Sequence, residues 1–326
     1  MTLKKVLIVN KTFPAIGLEI LKRKTEPFVV PFFEHEPESL PEIKKTINKG
    51  YDAVIWNTKH RLTGDILDLA GPQIKAISTM SSGTDHIDLD EVFKRGLLIG
   101  NTPHVLDNAV ADITVGLIIA AARRFKEGIA EIMNNEWKYG VQWMLGQDIA
   151  GSTVGMVGLG GVGQAVVRRL KGFDVARFLF SGRSDKSEAK TLGAERVPLE
   201  QLLRESDYVL LCCPLTSETK HLINADTLKI MKKSAVLINI GRGGIVDNDA
   251  LYDALKQGQI FSAGLDVVDP EPISKDHPLL SLPNCFIIPH MGSATIETRN
   301  AMATISANNI LNALEGKPMV YPVTSL

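Results

Sequence analysis

Short apolar runs alternate with amphipathic stretches along almost the whole chain. In the first hundred residues the apolar runs predict strands, and the amphipathic stretches between them predict helices. Such alternation is typical of a parallel sheet, because each helix returns the chain to the edge where the next strand starts. The predicted strands are 6–9, 29–30, 53–56, 74–78 and 97–100, and the predicted helices are 17–24, 41–49 and 64–70.

A second series of the same kind begins at residue 153. Before it, residues 105–125 are apolar almost all round, which predicts one long buried helix connecting two domains. Residues 294–314 predict a final long helix that returns to the first domain. Six strands with intervening helices are typical of a doubly wound dinucleotide-binding fold. The six predicted strands are 153–157, 178–180, 208–213, 235–240, 261–267 and 286–288.

The bulk composition favours a small molecule as the partner. With 326 residues, 44% hydrophobic and 22% charged, the chain suits two globular domains of ordinary size. A net charge of −1 gives no field that would attract nucleic acid or a membrane surface. The N-terminal apolar run is too short for a signal sequence and no run reaches the length of a membrane span, so we expect a cytoplasmic protein.

Neither a metal site nor a disulfide framework is predicted. The spacing of the three cysteines, Cys212, Cys213 and Cys285, suggests neither. We expect buried, reduced thiols.

A glycine-rich turn predicts a dinucleotide site. It follows the strand at 153–157 and opens a helix, which is the context in which such a turn binds pyrophosphate at a helix N-terminus. The first glycine permits the tight turn, the second lets the backbone approach the phosphates, and the third lets helix and strand pack closely. The alternative is a purely structural turn. The expected cofactor-binding residues are Gly158, Gly160, Gly161, Val162 and Gly163.

The end of the next strand favours NADPH over NADH. An acidic residue is expected about 20 residues after the glycine loop when the ribose 2′-hydroxyl is free. Here small residues stand at that place and Arg183 follows them, while Asp185 comes a residue or two late. A guanidinium can bind a 2′-phosphate, and Ser184 and Lys186 could add donors. The alternative is that Arg183 is an ordinary solvated charge.

Three residues at strand ends predict chemistry on a small 2-keto acid. Arg242, Glu271 and His290 each follow an apolar run. The cation could hold a carboxylate or polarise a keto oxygen, and the imidazole could give the proton that a carbonyl needs when it accepts hydride. A carboxylate on the other ring nitrogen would fix the tautomer and favour the protonated ring. Taken singly, a histidine is more often structural and an arginine more often a surface charge, but carboxyl ends of strands are where such folds bind ligands.

Four segments resemble the signatures of the D-isomer-specific 2-hydroxyacid dehydrogenases, and the resemblance covers essentially the whole chain. Within that family, residues 78–86, 181–183 and 290–295 are close to the glyoxylate/hydroxypyruvate reductases of animals. The resemblance implies that Arg242, Glu271 and His290 are the catalytic residues. The four segments are 158–163, 239–247, 263–272 and 289–293.

The resemblance also implies binding roles. The backbone amides of Ser82 and Gly83 would hold the substrate carboxylate, with Gly292 nearby. Asp266 would lie near the nicotinamide. Pro214 and Ile240 would line the cofactor cleft, although Pro214 stands where a small polar residue is expected, which leaves a side-chain hydrogen bond there in doubt.

The family further implies a dinucleotide-binding Rossmann domain inserted in a flavodoxin-like substrate domain, so the predicted fold class is α/β with two doubly wound parallel sheets. Residues 1–105 and 290–326 would form the substrate domain and 106–289 the cofactor domain, with catalysis in the cleft. Homodimers joined through the cofactor domain are usual. The aromatic-rich stretch 137–146 predicts an interface from which Trp143 reaches the partner's active site, the alternative being burial within its own subunit.

The expected reaction is reduction of glyoxylate or hydroxypyruvate by NADPH, giving glycolate or D-glycerate. A phosphoglycerate dehydrogenase-like enzyme is the nearest alternative, but it would normally use NAD. A formate dehydrogenase does not require the acid–base step that a Glu–His pair supplies. A corepressor of the C-terminal-binding-protein type, which senses NAD on the same fold, is disfavoured by Arg183 in place of an acid.

Overall fold

The computed structural model describes residues 3–32, 36 and 39–324. The chain divides into two compact units, Met1–Leu106 with Ser293–Leu326, and Asp107–Gly292. Among the described residues, no helix is both long and apolar enough to cross a membrane.

The first unit is built on a five-stranded parallel sheet of order β2-β1-β3-β4-β5, the flavodoxin-like order. A C-terminal helix, Ile296–Leu314, returns to this sheet and packs against its middle strands. The strands are β1 (Lys4–Ile8), β2 (Thr25–Val29), β3 (Ala53–Ile55), β4 (Ala76–Ser78) and β5 (Leu98–Gly100), and the other helices are α1 (Ala15–Lys22), α2 (Ser39–Ile47), α3 (Gly64–Ala70) and α4 (Leu89–Lys94).

Both faces of this sheet are covered, which explains its continuous apolar runs. Because successive strand residues point to opposite faces, Leu7 joins one core and its neighbours Val6 and Ile8 join the other. The second core includes small residues of the C-terminal helix, such as Ala303. A Cβ on Gly17 would lie 2.9 Å from the Ala303 carbonyl oxygen, so α1 and the C-terminal helix approach closely only because residue 17 is glycine.

The second unit contains a seven-stranded sheet of order β12-β11-β10-β9-β6-β7-β8, with every strand pair parallel. The two sheets confirm the predicted α/β class with two doubly wound parallel-sheet units. The strands are β6 (Thr153–Val157), β7 (Arg177–Ser181), β8 (Ala194–Arg196), β9 (Tyr208–Leu211), β10 (Val236–Asn239), β11 (Ser262–Leu265) and β12 (Cys285–Ile287).

The sequence-based count of six strands missed β8. This edge strand has no apolar run, and two of its three residues are exposed. It completes the Rossmann order: in chain order within this unit, the strands run 3-2-1-4-5-6 across the sheet with a seventh added at the far edge.

The long helix predicted at 105–125 is present but ends at Ala122, and a second helix follows it. The first, α5 (Asp107–Ala122), is largely buried and packs against β10, β11 and the helix that follows the glycine loop. The chain then turns at Arg124, whose φ of 56° is left-handed, and enters α6 (Phe125–Met133), which has no buried residue. The remaining helices are α7 (Gly161–Leu170), α8 (Ser187–Leu192), α9 (Leu199–Glu205), α10 (Ala225–Lys229), α11 (Asn248–Lys256) and α12 (Pro278–Ser281).

Candidate active site

Arg242, Glu271 and His290 follow three strands that lie side by side in the sheet. Arg242 comes after β10, Glu271 after β11 and His290 after β12, and the sheet order is β12-β11-β10. Because these strands are parallel, their carboxyl ends share one edge, which is where open α/β sheets bind ligands. The three residues, which are far apart in the sequence, therefore lie at the same edge of the sheet.

His290 and Glu271 form a hydrogen-bonded pair. The imidazole Nδ1 lies 2.8 Å from Glu271 Oε2, and Glu271 Oε1 accepts a 3.1 Å hydrogen bond from the Val268 N–H. An ionised carboxylate only accepts hydrogen bonds, so Nδ1 is the donor and Nε2 is the ring atom left for a substrate.

The pair shifts both pKa values toward the charged forms. The hydrogen bond to Glu271 raises the pKa of His290 above its ordinary value, although burial opposes it. Burial by itself would raise the pKa of Glu271, but the hydrogen bond and charge of His290, helped by the Val268 N–H and Arg242, outweigh it and lower that pKa. The geometry thus favours a protonated imidazole beside an ionised carboxylate.

Asp266 holds the segment that carries His290. His290 has a left-handed φ of 48°, and its N–H donates to the Asp266 carbonyl oxygen at 2.8 Å. The Asp266 carboxylate accepts from the N–H groups of Met291 (2.7 Å) and Gly292 (3.0 Å). The carboxyl is almost fully buried, and burial raises its pKa despite these two hydrogen bonds. The sequence suggested only a cofactor contact for Asp266, and nothing in the residue pattern signalled this anchoring.

The loop bearing Arg242 is fixed by Asn239 at the end of β10. Asn239 donates from Nδ2 to the Arg242 carbonyl oxygen at 2.9 Å, and its Oδ1 accepts from the Gly241 N–H at 3.1 Å. A side chain on Gly243 would overlap the Val268 backbone, so this loop packs directly on the segment that leads to Glu271. Asn239 is fully buried, which makes it a rigid support that the sequence analysis did not single out.

The glycine loop has the shape that a dinucleotide requires. Gly158 has a φ of +99°, and a Cβ on Gly163 would lie 2.7 Å from the Gly158 carbonyl oxygen, so turn and helix pack closely. A Cβ on Gly160 would meet nothing within 4 Å, which leaves open space in front of the α7 N-terminus. A Cβ on Gly161 would overlap the Asp107 carboxylate, and Val162 is half-buried in the first turn. The open space and the N–H groups of the first helical turn, which a helix cannot pair internally, fit a bound pyrophosphate.

The loop after β7 presents a basic surface. Arg183, Ser184 and Lys186 are all exposed there. Arg196 on β8 donates from Nη1 to Asp185 Oδ1 at 2.9 Å and from Nη2 to the Gly182 carbonyl oxygen at 2.8 Å. The only acid of this loop is therefore paired with a cation that the sequence analysis missed along with its strand.

Pro214 and Ile240 lie in the loops that follow β9 and β10. Pro214 is exposed and its carbonyl oxygen accepts from Thr219 Oγ1 at 2.7 Å, whereas Ile240 is buried. In the same loop as Pro214, Cys212 packs against the glycine turn: a Cβ on Gly158 would be 3.1 Å from its carbonyl carbon. Burial raises the pKa of the Cys212 thiol to about 12, so it is no nucleophile near neutral pH.

In the first unit, Ser82 and Gly83 lie in the segment 80–84 that follows β4. The carbonyl oxygens of Ser81, Ser82 and Gly83 all accept hydrogen bonds within this unit. Among the described residues, no acceptor lies within hydrogen-bonding geometry of the backbone N–H of Ser82 or Gly83. Two neighbouring unpaired amides are a ready site for an anion.

The stretch 137–146 is mostly exposed and rich in large apolar groups, and α6, which precedes it in the chain, also exposes large apolar side chains. Trp143 is half-buried. The exposed large side chains of these two segments are Phe125, Ile129, Ile132, Met133, Trp137, Tyr139, Val141 and Leu145.

The family profile described as D-isomer specific 2-hydroxyacid dehydrogenase, NAD binding domain, matches residues 115–292. A human glyoxylate reductase/hydroxypyruvate reductase is 43% identical over 315 residues, 96% of this chain and 96% of that protein. A crystal structure of a protein from Thermus thermophilus is 39% identical, with a TM-score of 0.88 over 98% of this chain and 100% of that one. The NADPH-dependent glyoxylate/hydroxypyruvate reductase of Sinorhizobium meliloti, solved with NADP and malonate, is 29% identical with a TM-score of 0.83, covering 99% and 97%. The resemblance drawn from the sequence motifs is thereby confirmed, and the chain belongs to the D-isomer specific 2-hydroxyacid dehydrogenase family.

Proposed function

We propose that this protein reduces glyoxylate and hydroxypyruvate to glycolate and D-glycerate, with NADPH as the cofactor. The observation that carries the proposal is the 2.8 Å His290–Glu271 pair at the same sheet edge as Arg242. The names of the human and Sinorhizobium meliloti relatives support the choice of substrate.

The chain's own groups account for everything but the hydride, which the bound reduced dinucleotide supplies to the carbonyl carbon. As negative charge develops on the carbonyl oxygen, His290 donates the Nε2 proton to it. Glu271 stabilises the imidazolium beforehand and orients the ring through Nδ1. Arg242 holds the substrate carboxylate or polarises the keto oxygen. In the oxidative direction His290 takes the proton back.

We place the 2′-phosphate of NADPH at the basic loop after β7. Arg183 offers a bidentate donor, and Ser184 and Lys186 add further donors. Asp185 would repel the phosphate, but Arg196 neutralises it across a 2.9 Å ion pair. The pyrophosphate belongs at residues 158–163, with Asp266, Pro214 and Ile240 toward the nicotinamide. The unit 107–292 is the cofactor domain of the proposal, and the other unit is the substrate domain. In the substrate domain, the amides of Ser82 and Gly83 would hold the substrate carboxylate. Gly292 is a further proposed substrate contact.

We also propose a homodimer joined through α6 and the stretch 137–146. A helix with no buried residue and exposed Phe125, Ile129 and Ile132 leaves apolar area that a monomer would expose to water. Trp143→Ala should change KM for the keto acid if Trp143 reaches the partner's site, with Trp137→Ala as the matched control. A change of association state without a change in KM would assign Trp143 to the interface alone.

The test of the function is a substrate panel run with both cofactors. Initial rates of NADPH and NADH oxidation are measured with glyoxylate, hydroxypyruvate and 3-phosphohydroxypyruvate. The proposal predicts the highest kcat/KM with NADPH and one of the two small keto acids. A preference for NADH with the phosphorylated substrate would favour a phosphoglycerate dehydrogenase, and tight NADH binding without turnover would favour a nucleotide sensor.

A further inference from the structure

In segment 80–84, the backbone carbonyl groups and the backbone N–H groups differ in their hydrogen bonding. The Ser81 carbonyl oxygen accepts from the Thr102 N–H at 2.9 Å, that of Ser82 from Asn101 Nδ2 at 2.7 Å, and that of Gly83 from Ser81 Oγ at 2.6 Å. In the described part of the chain, the N–H groups of Ser82 and Gly83 have no such partner. Ser82 is exposed and Gly83 half-buried, so these N–H groups are open to water or to a ligand.

The bound carbonyls determine where the unpaired amides point. A trans peptide is planar, with its C=O and N–H pointing in opposite directions. The Ser82 N–H belongs to the same peptide as the Ser81 carbonyl, and the Gly83 N–H to the same peptide as the Ser82 carbonyl; neither peptide is cis. A hydrogen bond that fixes the carbonyl group of a peptide therefore also fixes the direction of the N–H group of the same peptide. A backbone group fixes the first peptide, but a side chain, that of Asn101, fixes the second.

Asn101 is itself held firmly by the C-terminal part of the first unit. Its N–H donates to the Tyr321 carbonyl oxygen at 3.1 Å, and its carbonyl oxygen accepts from Asn309 Nδ2 at 3.1 Å. Asn309 lies on the C-terminal helix, is fully buried, and accepts from the Tyr321 N–H at 3.0 Å through Oδ1. A Cβ on Gly100 would lie 2.6 Å from Asn309 Nδ2, so this approach requires glycine next to Asn101. The side chain that fixes the Ser82 carbonyl is thus anchored from behind.

We infer that Asn101 is a positioning residue for substrate: by holding the Ser82 carbonyl it aims the Gly83 N–H at the substrate carboxylate. This inference rests on the proposed function, in which the amides of Ser82 and Gly83 bind that carboxylate. Asn101 acts through the backbone of segment 80–84. It should therefore govern binding of the anion and leave the chemical step unchanged.

The test compares Asn101→Ala with wild type in substrate affinity, turnover and cofactor affinity. Loss of the donor should raise both KM for glyoxylate and Ki for oxamate, a non-reducible analogue with the same carboxylate, by about tenfold, the scale of one hydrogen bond to a charged group. The kcat and the Kd for NADPH should stay within about twofold of wild type. Asn312→Ala is the matched control, because Asn312 Nδ2 makes the same kind of bond to the Pro318 carbonyl oxygen at 3.0 Å in the same unit. That control should leave KM and Ki unchanged.

A second variant keeps the test decisive if the alanine variant folds poorly. Asn101→Asp has the same size but replaces the donor with an acceptor facing the Ser82 carbonyl, so its KM and Ki should rise at least as much. Unchanged KM and Ki in both variants would overturn the inference, as would an equal fall in kcat and cofactor affinity, which indicates a merely structural role. Failure of the proposed function is visible separately, because wild type would then not reduce glyoxylate.

Discussion

Of the two regions that carry the proposed chemistry, one uses side chains and the other uses backbone amides. At the sheet edge of the second unit, Arg242, Glu271 and His290 present charged or titratable side chains. In segment 80–84 of the first unit, the groups of interest are the backbone amides of Ser82 and Gly83, and side chains such as that of Asn101 only hold them in place.

This difference corresponds to two tasks. Proton transfer needs a group whose pKa can be tuned, which the backbone cannot offer, so an imidazole beside a carboxylate performs it. Holding an anion needs only donors in a fixed place, and backbone amides offer these without loss of side-chain entropy. Substitutions in the first region should therefore change the rate of chemistry, whereas those in the second should change affinity.

Replacing His290 by alanine should give the largest effect. We expect kcat for hydroxypyruvate reduction to fall by about 10²–10⁴-fold, the usual range for a lost general acid. The Kd for NADPH, measured by fluorescence titration, should stay near that of wild type. Loss of cofactor affinity to the same extent would show that the residue supports the fold and would break the assignment of chemistry to side chains.

Gly160→Ala extends the comparison to the glycine loop of the second unit, where backbone amides would bind the pyrophosphate. A Cβ there meets nothing within 4 Å and the φ of −79° suits any residue, so the melting temperature of the cofactor-free protein should be unchanged. If the open space is where the pyrophosphate lies, the Kd for NADPH should rise by about tenfold, or ~1.4 kcal/mol. Gly161→Ala is the contrast: its Cβ would overlap the Asp107 carboxylate, so it should lower the melting temperature. Unchanged NADPH affinity in Gly160→Ala would place the cofactor elsewhere.

Arg196→Ala should have the smallest effect of the three, because the Arg196–Asp185 pair is largely exposed. The substitution leaves the Asp185 carboxylate without its ion-pair partner. It should lower the kcat/KM preference for NADPH over NADH by about two- to fivefold, the scale of a surface ion pair. Adding Asp185→Asn should restore the preference. Arg177→Ala, which breaks ion pairs to Glu195 and Glu205, is the control and should leave the preference unchanged.

Residue types at strand ends revealed the side-chain region but could not reveal the backbone region. Apolar runs marked the strands that precede Arg242, Glu271 and His290, and parallel pairing then brought them to one edge. Ser82 and Gly83 entered the sequence analysis only through family resemblance, because a backbone amide looks the same in every residue. Asn101 was missed because its role depends on a contact 19 residues away in the chain, to the Ser82 carbonyl.

Two departures from the predicted fold have different physical origins. β8 was missed because a three-residue edge strand with exposed Glu195 and Arg196 carries no apolar pattern. The helix predicted at 105–125 ends at Ala122 instead, and the chain turns at Arg124, whose left-handed φ of 56° cannot be read from the residue type. Features set by burial were therefore predictable, whereas those set by local backbone geometry or by an edge position were not.

The pH dependence of kcat/KM for hydroxypyruvate reduction, measured in wild type and in Glu271→Gln, tests the central claim most directly. Reduction needs protonated His290, whose pKa the hydrogen bond to Glu271 raises above its ordinary value. In wild type, kcat/KM should be constant at lower pH and fall as pH rises through that raised pKa. Without the negative charge of Glu271 the fall should move to lower pH. The same descending limb in both proteins, or a rate of reduction that rises with pH, would contradict His290 as the proton donor supported by Glu271.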